Sequence, residues 1–317
     1  MIDFAYLDRG LDGLSNAHRG GSMAGHAGAA LIAGYCFAEN NPDLDPAVYE
    51  AIERDLDRIL NGEEEFWIDR KSGLKTADLF VAAPSVKADW EVAQKSLVES
   101  VQGQADRMRE SGHNMIFVST ALRAFSDHPE LASASRISGV VKLIRLFDRS
   151  GPGRGYFGND EGWKKVGEKG LEWPREAPAV ASVESMAEAV IDDLIAFASE
   201  HRQGFGGLFH LIDHAASLVE LDRHGFSGPA LAGCAALGQH RHLLRALPVL
   251  DDELGVLEKA ESDPRQPDYW SRRSSKQWSG WLTHRIKVLY GLDILLPLIE
   301  SPEKRLRAEA AFRYLMA

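Results

Sequence analysis

Cysteine is almost missing from this chain: Cys36 and Cys234 are the only two in 317 residues. A disulfide-stapled scaffold or a paired-thiolate zinc ribbon needs more, so both are excluded. Each lies in a small apolar stretch, AGYCFA and AGCAAL, where a thiol is expected to pack rather than react. No apolar run approaches the roughly 18 residues that cross a bilayer. The first ten residues, MIDFAYLDRG, lack the basic start and apolar centre of a secretory leader. A cytoplasmic protein with no membrane partner is therefore expected. Positive charge is also short, with 36 Lys and Arg against 47 Asp and Glu, a net charge of −11. Without a dense basic run, a nucleic-acid partner is not expected. A GxSxG elbow and a CxxCH haem motif are absent. Strand-forming sequence is scarce as well: LFVAAP at 79–84 is the one candidate, and one strand makes no sheet.

What is present is helix. Asp45-Pro46 reads as an N-cap followed by proline at the first helical position, with Val48, Ile52, Leu56 and Ile59 at helical spacing and Asn61-Gly62 as the stop. Ser85 can cap a helix running through Trp90, Leu97, Val101 and Met108. Ser185 and Glu188 have capping-box spacing at the head of SMAEAVIDDLIAFASEH. The hydrophobic share is 44%, with 7 Trp, 7 Tyr and 13 Phe, which is enough to build a core. The length allows two domains or one large one. The chain is taken as a single all-helical domain, residues 1–317, interrupted by a Gly- and Pro-rich insert at about 149–181 that reads as a lid or binding loop. A second loop is expected at 261–277.

A weak internal repeat organises the helices. GHAGAALIAGYCFAENNP, GHNMIFVSTALRAFSDHP, FHLIDHAASLVELDRHGFSGP and THRIKVLYGLDILLPLIESP each place histidine near the start of a helix that ends at a proline turn. The pairs are His26 with Pro42, His113 with Pro129, His214 with Pro229 and His284 with Pro302. A second helical pattern follows each turn, so each unit reads as a helical hairpin. Hairpins of this kind bury their apolar faces by stacking on neighbours. Repeat starts 74 to 97 residues apart are too long and uneven for a regular solenoid, and leave room for extra helices. The expected architecture is all-α, a closed or nearly closed α/α ring around a central pocket where equivalent histidines converge.

Histidine at one position in four units points to a lined polar cavity, because imidazole is suited to proton transfer near neutral pH. His210, His214, His284 and Arg285 are the candidate catalytic groups. His26, His113, Trp278, Trp281 and Tyr156 are the candidate substrate-binding groups. His210 and His214, four apart on one helix face, also have metal-ligand spacing, and His113, with His26 in reserve, would complete a set suited to zinc or iron. The competing readings are core histidines and core tryptophans. No metal is favoured at this stage. GPGRG at 151–155 has neither a preceding strand nor a following GK[ST], and is discounted as a phosphate loop. HRH at 240–242 is expected at the surface, with an oxyanion partner as its alternative role.

FHLIDHAASLVEL and THRIKVLYGLDILLPLIESPEKRLRAEAAFRYLM, with GHAGAALIAGY near the amino end, resemble the questin oxidase-like family. The resemblance implies an all-helical NADPH-dependent oxygenase that opens an aromatic polyketide ring by Baeyer–Villiger-type chemistry. It places His210 and His284 among the pocket histidines. His214, the Gly-rich insert and the loop around Trp278 depart from the family pattern. The expected function is thus an enzyme acting on a small hydrophobic or aromatic molecule. The alternatives are a metal-dependent hydrolase or lyase with histidine ligands, and a non-catalytic helical-repeat module whose inner surface binds a protein or ligand. The sequence assigns no oligomeric state.

Overall fold

The computed structural model describes residues 1–84, 86–168, 171–172, 182–271 and 280–317. Among these residues are fourteen α-helices and one two-stranded antiparallel sheet, so the chain is all-α in class. No described helix is long and apolar enough to cross a membrane. The chain divides into two compact units. One comprises Met1–Gly103, Phe117–Arg149 and Pro264–Tyr290; the other comprises Gln104–Ile116, Ser150–Asp263 and Gly291–Ala317.

In the first unit, the helices Phe4–Asn16 and Gly25–Asn40 pack closely because glycine removes the side chains between them. A Cβ on Gly28 would lie 2.3 Å from the Leu14 amide nitrogen and 2.7 Å from the Gly10 carbonyl oxygen. This close approach explains the small residues of GHAGAALIAG, whose helix is buried over nearly its whole length. Pro46–Leu60 starts and stops where its sequence signals say, with the Asp45 carboxylate accepting from the Ala47 amide. Trp90–Gln102 is capped by Asp89, one residue before Trp90, while Ser85 lies outside the described residues. The strand expected at 79–84 does not form: a short helix, Thr76–Leu79, ends there, and the residues after it are turn and coil.

The second unit is built on Val183–Phe197, Gly207–Arg223, Ser227–Arg245 and Pro302–Leu315. Ser182 caps the first of these and takes Ser185 as its capping-box partner, displacing the expected Ser185–Glu188 box by one turn. Asp193, fully buried, receives the guanidinium groups of Arg241 and Arg245 and ties Val183–Phe197 to Ser227–Arg245. Within the described part of the insert, Arg154–Tyr156 and Trp163–Lys165 pair as a hairpin, with Gly155 opposite Lys164. Both cysteines are buried and unbridged, and burial pushes the Cys234 thiol up to about 11. The four histidine-to-proline segments all appear as helix–turn–helix successions. Gly25–Asn40 packs on Pro46–Leu60, and Gly207–Arg223 packs on Ser227–Arg245.

Candidate functional site

His26, His113 and His284 of the repeat, with His210 in place of His214, share one local geometry. Each stands in the first turn of its helix and sets its Nδ1 against a backbone carbonyl of the preceding turn. His26 reaches Met23 at 2.8 Å, His210 reaches Gly206 at 3.0 Å, His284 reaches Gly280 at 2.6 Å, and His113 reaches Glu110. A carbonyl only accepts, so each Nδ1 carries a proton, and a ring that is neutral keeps its lone pair on Nε2. This is the arrangement by which a carbonyl behind the ring fixes tautomer and ring orientation in metal-ligating histidines.

In the second unit, the helix starts that carry His113 and His210 are approached through strained backbone. Glu110, Ser111 and Phe205, with φ of 38°, 60° and 48°, are the non-glycine residues with positive φ among the described residues. All three lie within five residues before a site histidine. Such strain persists only where the surroundings over-determine it, and it concentrates at functional sites. Here the Gly-rich insert supplies the restraint. The amides of Glu110 and Ser111 donate to the carbonyls of Gly151 (2.7 Å) and Pro152 (3.1 Å), and the Phe205 amide donates to Arg154 (2.9 Å). GPGRG is therefore a spacer between two helix starts. Gly204, at φ 133°, has no room for a side chain, since a Cβ would lie 2.5 Å from the Gly155 Cα and 2.7 Å from the Arg154 carbonyl oxygen.

The result is a buried histidine cluster. His113 and His210 face each other Nε2 to Nε2 at 3.0 Å. His214, one turn beyond His210, is wholly buried against Gly112, where a Cβ would lie 2.6 Å from the His214 Cγ. Its Nδ1 is 3.5 Å from the Nδ1 of His240, whose Nε2 lies 2.7 Å from the Phe205 carbonyl oxygen. Burial holds His214 well below the ordinary imidazole range, aided by the nearby His240 and His113. Burial also pushes His240 down to about 4, against the opposing hydrogen bond to Phe205. The surface position expected for HRH is therefore wrong for His240, which has no exposure; His242 alone of the pair is exposed. Glu110, part-buried beside His113, has its carboxyl raised by desolvation.

In the first unit, the His26 ring stacks on Trp67 at 3.8 Å with parallel planes, and lies 5.1 Å from His284 and 5.6 Å from Phe117. Glu64 organises this group. Its carboxylate accepts from the amides of Leu282 (2.8 Å) and Thr283 (3.1 Å), capping the helix of His284, and from the Trp67 indole (3.2 Å). Gly280, at φ 93°, is required here because a Cβ would lie 2.7 Å from Trp67 and 3.0 Å from the His284 Nδ1. Arg285 is committed to a buried ion pair with Asp55, and its guanidinium lies 5.0 Å from the Trp270 ring and 5.7 Å from Trp281. Burial lowers Arg285 to about 10, so it stays cationic at neutral pH.

Of the sequence candidates, the structure groups His113, His210 and His214 in one unit, and groups His26 with His284 in the other. Trp281 packs beside Arg285, Tyr156 sits on the hairpin with its hydroxyl donating to Asn159 at 3.0 Å, and Trp278 lies outside the described residues. Glu64, Trp67 and Asn114 were not singled out from sequence, and His240 was named only within HRH. Asn114 is buried beside His113, and neither atom of its carboxamide has a hydrogen-bond partner among the described residues. Compared with family models, curated proteins and solved structures, the chain has no match.

Proposed function

We propose that the chain is an enzyme acting on a small, partly hydrophobic or aromatic molecule through a divalent transition-metal ion held by His113 and His210. The facing Nε2 atoms carry this reading. With both Nδ1 protons held by carbonyls, two neutral rings would oppose their lone pairs at 3.0 Å, an arrangement that calls for a positive charge between them. With metal–nitrogen bonds of about 2.05 Å, nitrogens 3.0 Å apart subtend about 94° at an ion. That angle suits cis ligands of an octahedron, and a relaxation of about 0.3 Å would reach the tetrahedral angle. An imidazole ligand set suits zinc or iron rather than magnesium or calcium. Such an ion acts as a Lewis acid on a substrate oxygen or lowers the pKa of a bound water.

Cobalt(II) added to metal-free protein tests this. Visible absorption bands of imidazole-ligated cobalt are expected, and they should vanish in His113→Ala and His210→Ala. The same measurement on His26→Ala and His284→Ala shows whether the histidines of the other unit matter. Bands that survive loss of both His113 and His210 refute the assignment.

A metal-free reading rests on the same contact, because 3.0 Å is also an ordinary N–H···N distance for an imidazole–imidazolium pair sharing one proton. It accords with the questin oxidase-like resemblance and with NADPH as reductant. NADPH oxidation stimulated by an aromatic ketone or phenol, in protein stripped with chelator, would favour it. Cytoplasmic residence and a ring-like closure of the helices belong to this proposal too, with cell fractionation and small-angle X-ray scattering as their tests.

A further inference from the structure

Among the described residues, His214 in the buried cluster has no hydrogen-bond partner at its Nε2. Its tautomer follows from the groups behind it. The Phe205 carbonyl can only accept, so His240 donates from Nε2 at 2.7 Å and, being neutral, offers a lone pair on Nδ1. The group facing that lone pair is the His214 Nδ1 at 3.5 Å, which must therefore carry the proton. The reverse assignment would set a His240 lone pair against the Phe205 oxygen. The relay thus runs from His214 through His240 to a carbonyl, and it leaves the His214 Nε2 as an acceptor in a wholly buried position. A buried acceptor without a donor carries an uncompensated desolvation cost, which points to a bound species that satisfies it.

We infer that His214, locked in its Nδ1–H tautomer by His240, is a binding residue whose Nε2 accepts a hydrogen bond from an O–H group of a bound species. The donor is either a metal-held water or the hydroxyl of an organic ligand. Carboxylate and phenolate oxygens, which can only accept, are excluded from that atom. His240 is the positioning residue. It touches no ligand in this account but sets which His214 nitrogen can accept, and it grips the strained Phe205 that precedes His210. The metal-water source rests on the His113–His210 reading above; the tautomer lock does not.

Nitrogen-15 NMR of histidine-labelled, metal-free protein provides the test, because protonated and unprotonated ring nitrogens resonate far apart. His214 is expected to show a protonated Nδ1 and an unprotonated Nε2. Gln at position 240 can donate to Phe205 and accept from His214, so His240→Gln should keep that signature, whereas His240→Phe should lose it. Zinc is then added in one arm. In the other, cyclohexanol is compared with methoxycyclohexane, which has a similar ring but no donor. A shift of the Nε2 resonance on adding zinc identifies the metal-held water. A shift with cyclohexanol alone, bound about tenfold more tightly than the ether, identifies the ligand hydroxyl. A protonated Nε2, a folded His240→Gln protein without the signature, or an Nε2 resonance unmoved in both arms overturns the inference.

Discussion

Two adjacent glycines before His210 separate the role of the imidazole from that of the backbone. Gly206 and Gly207 both have left-handed backbone, with φ of 72° and 60°. A Cβ on Gly207 meets nothing within 4 Å, whereas one on Gly206 would lie 2.2 Å from the His210 Cγ and 2.3 Å from its Nδ1. Alanine at either position carries the conformational penalty of about 1 kcal/mol for a side chain in this region. Only Gly206→Ala adds overpacking against the base of the ring, about 1–3 kcal/mol more. Gly207→Ala should therefore cost about 1 kcal/mol and Gly206→Ala about 2–4 kcal/mol, measured as unfolding free energies in urea. In a His210→Ala background the ring is gone but the Cβ of residue 210, 2.6 Å from the position of a Gly206 Cβ, remains, so the gap between the two alanines should narrow without closing. Gly206→Ala should also weaken cobalt binding, because it displaces the ring whose Nε2 faces His113. Equal costs for the two substitutions in the His210-containing protein would refute the claim that Gly206 exists to make room for the anchored imidazole.

Other predictions follow from the same geometry. His240 falls from the ordinary 6.5 to about 4 on folding, so the unfolded chain binds the extra proton between those values and stability is lost as pH falls through the window. The contribution is about 3 kcal/mol; unfolding curves at pH 7 and pH 4.5 should show this slope, and His240→Gln should flatten it. Asp193→Ala strands Arg241 and Arg245, and because the Arg245 guanidinium can turn to water, the loss should sit near about 3 kcal/mol in the same urea assay. Glu64→Ala uncaps the Trp281–Leu295 helix and releases the Trp67 indole, so a stability loss of about 1–2 kcal/mol should come with altered tryptophan fluorescence.

Helix content and the histidine positions were legible in the sequence because both follow from local pattern. Proline turns, Asp45 and the spacing of His26, His113, His210 and His284 located the helix starts. The anchoring of each Nδ1 by a carbonyl one turn back was not legible, since it depends on backbone path rather than residue type. The reading of His214 as equivalent to its neighbour His210 failed to separate them, although one faces His113 and the other faces His240. His240 was misplaced at the surface because HRH is polar in sequence, while its burial comes from packing against Phe205, 35 residues away in the chain. Glu64 gave no signal at all: its partners Leu282 and Thr283 lie more than two hundred residues further on. The Gly-rich insert was read as a lid or binding loop because glycine and proline suppress helix. Its backbone instead ties the 109–111 and 203–205 segments, a task that needs small residues and close approach.

Metal analysis of protein purified without a histidine tag tests the central claim most directly. The account predicts close to one equivalent of zinc or iron per chain, with His113→Ala and His210→Ala each reducing it to background while helical circular dichroism is retained. Less than about a tenth of an equivalent, in protein that also fails to take up added zinc or cobalt, would contradict it.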